Sequence, residues 1–266
     1  MWLKRARKLS IPLIVLAAAA LLTTSSQAAA HPLTDYEGRW NYDLPDLSTN
    51  KNIATLDVGG TVLRVPQVGD IVLTSADDGG VIGRTDVGCT WRFARKSGAL
   101  ELDPPNQRCF NPTFRVSYTI TRWTIAGTGR HASESLVAIS HQPTGDRPFI
   151  LENGARTKAP EHDPHATRDF TGRWRYESPE QGEIAITRDY GNRITAHEGG
   201  CTWGLVARGG TARLDPPAQS CTTPAGPIVL RLWTIASDST RQVTSRVGTD
   251  AQGRDFSVSG ALNRIR

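Results

Sequence analysis

The chain has 266 residues, 31 Lys+Arg against 26 Asp+Glu, and 7 Trp, 5 Tyr and 6 Phe, a richness in aromatics that excludes a disordered polymer. Four of the cations (Lys4, Arg5, Arg7, Lys8) fall in the first eight residues, and without them the balance is 27 against 26. A net charge of +1 gives no global electrostatic drive toward nucleic acid or an anionic membrane.

The cationic start, the apolar run Ile11–Leu22 and the small polar stretch Thr23–Ala30 follow the order of a secretory signal peptide. The run is shorter than the roughly 20 residues that span a bilayer, so residues 1–30 are expected to be a cleaved leader and not a membrane span. Cleavage is expected near Ala28–His31, which sends the protein to the periplasm or outside the cell.

The remainder is one unit written twice. Gly38-Arg39-Trp40-Asn41-Tyr42 recurs as Gly172-Arg173-Trp174-Arg175-Tyr176, and Cys89-Thr90-Trp91 as Cys201-Thr202-Trp203. Leu102-Asp103-Pro104-Pro105 with Gln107 and Cys109 recurs as Leu214-Asp215-Pro216-Pro217 with Gln219 and Cys221, and Trp123-Thr124-Ile125-Ala126 as Trp233-Thr234-Ile235-Ala236. The first motif is offset by 134 residues but the cysteine region by 112, so the first copy carries 22 additional residues, placed within about 44–70. Ile53–Val65 alternates about Gly59-Gly60, the pattern of an extra hairpin. The expected domains are a first repeat over 31–151, a linker over 152–169 and a second repeat over 170–266.

Both repeats read as antiparallel β. In the second copy, short alternating runs predict strands over 172–177, 183–189, 193–197, 201–207, 211–214, 228–235, 242–248 and 255–261. No sustained 3.6-residue apolar period marks a helix. The two cysteines of each copy are 20 positions apart in an oxidising compartment, so the expected disulfides are Cys89–Cys109 and Cys201–Cys221. Each bridge is worth about 3 kcal/mol in the chain-entropy model.

Eight short antiparallel strands with Gly-x-Trp on the first, Gly38-Arg39-Trp40 and Gly172-Arg173-Trp174, resemble the calycin group. That group includes lipocalins, avidins and the small secreted bacterial metalloprotease inhibitors of the Inh type. The resemblance implies an all-β chain of two tandem up-and-down barrels. It also implies a last-strand Arg packed over the Gly-x-Trp tryptophan, which Arg264 supplies in the second copy and Lys158 replaces in the first.

No repeated acid, base or nucleophile suits catalysis. Asp103 and Asp215 precede prolines and read as turn residues. Ser133 and Ser135 near His131 and His141 are sequence neighbours only, and His197 has no counterpart in the first copy. His162 and His165 flank Pro164 in the linker, and His31 stands at the expected mature N-terminus; neither cluster makes a metal site. No catalytic residue, metal or cofactor is therefore assigned. Trp40, Trp91, Trp123, Trp174, Trp203 and Trp233 are expected to be core or ligand-lining. The expected function is non-catalytic binding, by a monomer, of a small molecule or an extracellular partner. A protease inhibitor or other protein-interaction module, with contacts at loop tips and residues 31–36, is the alternative, and an envelope or matrix component the third.

Overall fold

The computed structural model describes residues 35–265 except 162, 164, 179 and 180. The expected leader, its cleavage site, His31 and His162 lie outside the described residues. The described chain is β-structure without a helix, and none of it is a helix long and apolar enough to cross a membrane.

The first copy forms β1 (Gly38–Tyr42), β2 (Ile53–Val58), β3 (Thr61–Pro66), β4 (Asp70–Ser75), β5 (Val81–Thr85), β6 (Thr90–Lys96), β7 (Ala99–Leu102), β8 (Gln107–Asn111), β9 (Val116–Thr128), β10 (His131–Gln142) and β11 (Gly145–Lys158). Eight of these, in the order β1-β4-β5-β6-β7-β9-β10-β11, close into an antiparallel barrel through β1–β11 pairing at Trp40↔Lys158 and Tyr42↔Arg156. Closure leaves the eight barrel strands themselves no open end to the sheet. The second copy forms β12 (Gly172–Tyr176), β13 (Glu183–Arg188), β14 (Arg193–Glu198), β15 (Cys201–Arg208), β16 (Thr211–Leu214), β17 (Gln219–Thr223), β18 (Gly226–Ser237), β19 (Arg241–Thr249) and β20 (Asp255–Ile265). It closes likewise through β16–β18, at Ala212↔Ile235. The chain thus holds two barrels in tandem, and not one shared barrel.

The repeated motifs have local physical reasons. Gly38 and Gly172 sit at φ of 116° and 134°, where L side chains are strained. A Cβ on Gly38 would also stand 3.0 Å from the Lys158 stem. That cation lies over the Trp40 ring at 5.7 Å, and Arg264 lies over Trp174 at 4.8 Å, as the resemblance implied. Each indole N–H donates to the carbonyl four residues earlier, Tyr36 or Phe170, at 2.7 Å. Both of those aromatics are buried. Tyr36 is thus a core residue whose hydroxyl donates to the Gly98 carbonyl at 2.6 Å, and it is not the exposed contact expected within residues 31–36.

Both disulfides form as expected, Cys89–Cys109 and Cys201–Cys221. Each ties a barrel strand or its entry to a short extra strand, β8 or β17, that pairs only with the long strand after it. The sequence reading had no place for β17, because Gln219–Thr223 carries no apolar alternation. A side chain holds it instead: Gln219 exchanges hydrogen bonds with Gly204 N–H and C=O at 2.9 and 2.7 Å, and Gln107 does the same with Arg92 at 2.8 and 2.7 Å. That pin explains why Gln recurs beside Cys.

The added segment of the first copy is the hairpin β2–β3, turning at Gly59-Gly60 with Leu56 opposite Leu63. It extends the sheet from β11, at Phe149↔Leu56 and Leu151↔Ala54, along the part of that strand beyond the reach of the short β1. Strand β11 continues to Lys158, so residues 152–158 belong to the barrel and not to the linker expected over 152–169. Their charges hid the pattern, since the inward residue there is Arg156.

Candidate functional site

The two barrel interiors differ, and the difference locates the site. In the first barrel Arg156 donates to both carboxylate oxygens of Glu134 and, through Nη1, to the Trp40 carbonyl at 3.1 Å. Its guanidinium lies 3.5 Å from the centroid of the Tyr42 ring, whose hydroxyl donates to Glu134 at 2.7 Å. Burial would pull Arg156 down, but Glu134 and Tyr42 carry it above the ordinary arginine range. Burial is also the main reason the Tyr42 phenol is pushed well up.

The second barrel keeps the tyrosine, Tyr176, but takes its partners from other strands. Tyr176 donates to Glu198 at 3.0 Å, and Glu198 accepts from Arg246 at 2.5 and 3.1 Å. The register matches Arg246, opposite Trp233, to Leu136, opposite Trp123. Arg246 therefore crosses the second barrel's interior, 4.7 Å from the Trp233 centroid and 5.3 Å from that of Tyr176. Where the first barrel has Ala138 opposite Phe149, the second has Gly248 opposite Phe256, and a Cβ on Gly248 would collide with the Val229 carbonyl.

The first barrel has Leu136 in the place of Arg246, and it opens into a cavity of about 930 Å³. The volume lies within the range of small-molecule sites. Its inner wall is Trp91, Trp123, Leu136, Ala138, Phe149 and Leu151. Leu56 and Leu63 of the added hairpin extend one side, and Leu232, Thr234 and Val243 from the outer face of the second barrel close another. That outer face is covered by the first barrel, so Leu232, Thr234, Val243 and Val247 are buried although they point out of their own barrel. Polar contacts fix the apposition: Asn41 donates to the Arg208 carbonyl at 2.6 Å, Arg241 to the Pro45 carbonyl at 3.3 Å, and Arg115 pairs with Asp255 at 2.9 Å.

One lining acid stands apart. Asp86, in the turn between β5 and β6, accepts a long bond from Thr234 of the second barrel at 3.5 Å. Burial, with Asp70 as a second cause, pushes its carboxyl up to about 7. The lining Asp70 is paired with Arg39 at 2.6 Å, and the lining Glu177 with Arg241 at 2.9 Å.

Of the six tryptophans, Trp91 and Trp123 line the cavity, while Trp40, Trp174, Trp203 and Trp233 are core. Trp91 and Trp123 meet edge to face at 6.1 Å. The Trp233 indole donates to Thr244 at 2.6 Å, but that of Trp123 has no partner. The residue matching Thr244 is Glu134, whose carboxylate is turned to Tyr42 and Arg156.

Ser133 and Ser135 make no hydrogen bond with a histidine; Thr119 does. Thr119 Oγ1 lies 2.8 Å from His141 Nε2, and His141 Nδ1 lies 2.7 Å from Asp146. The order is that of a hydroxyl–imidazole–carboxylate triad. It lies outside the cavity lining. His131 lies 3.2 Å from the Thr157 hydroxyl and His197 3.3 Å from that of Thr202. Asp103 pairs with Lys96 at 3.6 Å and Asp215 with Arg193 at 2.6 Å. Among the described residues no group of three His, Cys, Asp or Glu side chains is placed to hold a metal.

Sequence reading missed Asp86, Glu134, Arg156 and the cavity wall given by the second barrel. The offset of 112 aligns Asp86 with Glu198, and the register aligns Leu136 with Arg246; these differences between matched positions were the available signal.

No protein-family model matches the chain, and no curated protein is similar to it. Among solved structures, it is similar to a Bacteroides fragilis protein provisionally described as an outer membrane protein, at 9% identity and a TM-score of 0.26, over 87% of this chain and 98% of that one. It is also similar to a Nostoc punctiforme protein of unknown function from the DUF3598 family, at 10% identity and a TM-score of 0.24, over 87% and 97% of the two chains.

Proposed function

We propose that this chain is a secreted, non-catalytic binding protein whose first barrel, of the calycin kind, carries a small and largely apolar molecule. The observation that carries the reading is the cavity of about 930 Å³ lined by aromatic and aliphatic side chains in one repeat and crossed by Arg246 in the other. Duplication lets one copy stay a packed barrel while the other opens to a ligand. The added hairpin and the second barrel's outer face both widen the apolar wall, which fits a ligand longer than one barrel could cover. Export is supported by the leader read in the sequence and by two disulfides, which suit an oxidising compartment.

Native mass spectrometry of protein recovered from its natural envelope or culture fluid tests this. The expected spectrum is a monomer with extra mass that is lost on denaturation. A bare native mass, together with no uptake of an apolar fluorescent probe, would overturn the carrier reading.

A second reading, a protein-directed module such as an inhibitor, is favoured by the exposed Val58, Val62 and Leu63 on the hairpin. Its test is stoichiometric inhibition of secreted proteases, lost in Val62→Asp.

A further inference from the structure

We infer that the ligand of the first barrel carries a hydrogen-bond donor, an amine or a hydroxyl, that meets Asp86, and that the cavity rejects apolar carboxylates. This rests on the carrier reading above and concerns which head group the cavity accepts.

Charged side chains surround the cavity. Four arginines line it, and each is engaged. Arg156 is held by Glu134 and the Trp40 carbonyl, and Arg241 by Glu177. Arg115 is paired with Asp255, and Arg64 donates to the Leu47 carbonyl and Asn50 Oδ1, at 2.8 and 2.9 Å. At Arg156, Arg241 and Arg115 an incoming carboxylate would compete with an acid already in place, and only Arg64 has neutral partners alone. Displacing Glu134 would leave a buried carboxylate unpaired, at a cost of several kcal/mol.

The lining acids are not equally engaged. Asp70 has Arg39, and Glu177 has Arg241. Asp86 has no Lys or Arg nitrogen within 4 Å among the described residues; Arg213 and Arg156 act on it only from farther away. Its cross-barrel bond from Thr234 is at the long limit, 3.5 Å. Two polar groups on this wall are thus short of partners, the Trp123 N–H, which is a donor, and Asp86, which is an acceptor, and a donor on the ligand completes Asp86. A carboxylate brought there would face both Asp86 and Asp70. The elevated pKa of Asp86 agrees with a group poorly compensated by its surroundings.

The test uses the full mature chain and three probes with the same ten-carbon tail: decylamine, decanol and decanoate. Binding is read at pH 8 and fixed ionic strength through the fluorescence of the lining Trp91 and Trp123. Decylamine and decanol are expected to bind, and decanoate at least about tenfold more weakly. Asp86→Asn is expected to raise decanoate affinity toward that of decanol. Decanoate binding as tightly as decylamine to the unsubstituted protein would overturn the inference while leaving the carrier reading intact. Failure of all three probes would overturn the carrier reading itself. The three-probe comparison needs no variant, so it decides even if Asp86→Asn does not fold.

Discussion

The two interior Tyr–Glu–Arg clusters are one chemical device at two depths, and that contrast sets a measurable difference in stability. The Arg156 and Glu134 side chains are 2% and 0% exposed, whereas those of Arg246 and Glu198 are 16% and 22% exposed. Replacing Glu134 by Gln removes the counter-charge but keeps an acceptor for Tyr42. Arg156 stays charged, with only uncharged partners left: the Trp40 carbonyl, the Tyr42 ring and the new amide. Breaking a fully buried pair this way costs about 3–5 kcal/mol. Glu198→Gln leaves Arg246 where water can partly take over, so its cost is about 1–2 kcal/mol. Denaturant unfolding followed by both far-UV circular dichroism and tryptophan fluorescence gives the two midpoints and slopes. The double variant Glu134→Leu/Arg156→Met should recover most of the Glu134→Gln loss, because no charge is left stranded. A cost for Glu198→Gln equal to or above that for Glu134→Gln would refute the reasoning, as would a Glu134→Gln cost below about 1 kcal/mol.

Replacing both Cys201 and Cys221 by Ser opens a loop of sequence separation 20 and should cost about 3 kcal/mol, read as a fall in unfolding midpoint with the fold retained; no change in midpoint would count against that entropy. Asp86 keeps its proton up to about 7 in the fold but only to about 4 in the unfolded chain, so its contribution is full below about pH 4 and is lost as the pH rises to 7. Asp86→Asn should therefore gain stability relative to the unsubstituted protein between pH 4 and 8, and parallel pH profiles for the two would sink the assignment. Leu56→Ala with Leu63→Ala thins the hairpin wall at cross-strand partners that are half-buried and exposed. Affinity for decanol should fall roughly tenfold while stability changes by less than about 1 kcal/mol; unchanged affinity would remove the hairpin from the site.

What could be read in the chain was whatever repeats or alternates. The matched Gly-x-Trp, Cys-Thr-Trp and Leu-Asp-Pro-Pro elements gave the duplication and the disulfide pairing, because both copies preserve a spacing that only an internal bridge satisfies. Period-two alternation gave eight strands in the second copy and the hairpin at Ile53–Val65, because a strand with one wet face writes its geometry in alternate residues. The pattern failed where side chains do something other than bury carbon. Strand β17 is held by Gln219 and a disulfide, and the end of β11 turns an arginine inward.

The cavity belonged to tertiary structure alone. Its polar floor joins Tyr42, Glu134 and Arg156 from three strands, and Leu232, Thr234 and Val243 come from the second barrel's outer face. Outward-pointing strand residues read locally as solvent-facing, and only the docking of one barrel on the other buries them. Local sequence fixes which way a side chain leaves its strand. What it then meets depends on how the barrels close and pack, and that is set by contacts more than a hundred residues apart in the chain.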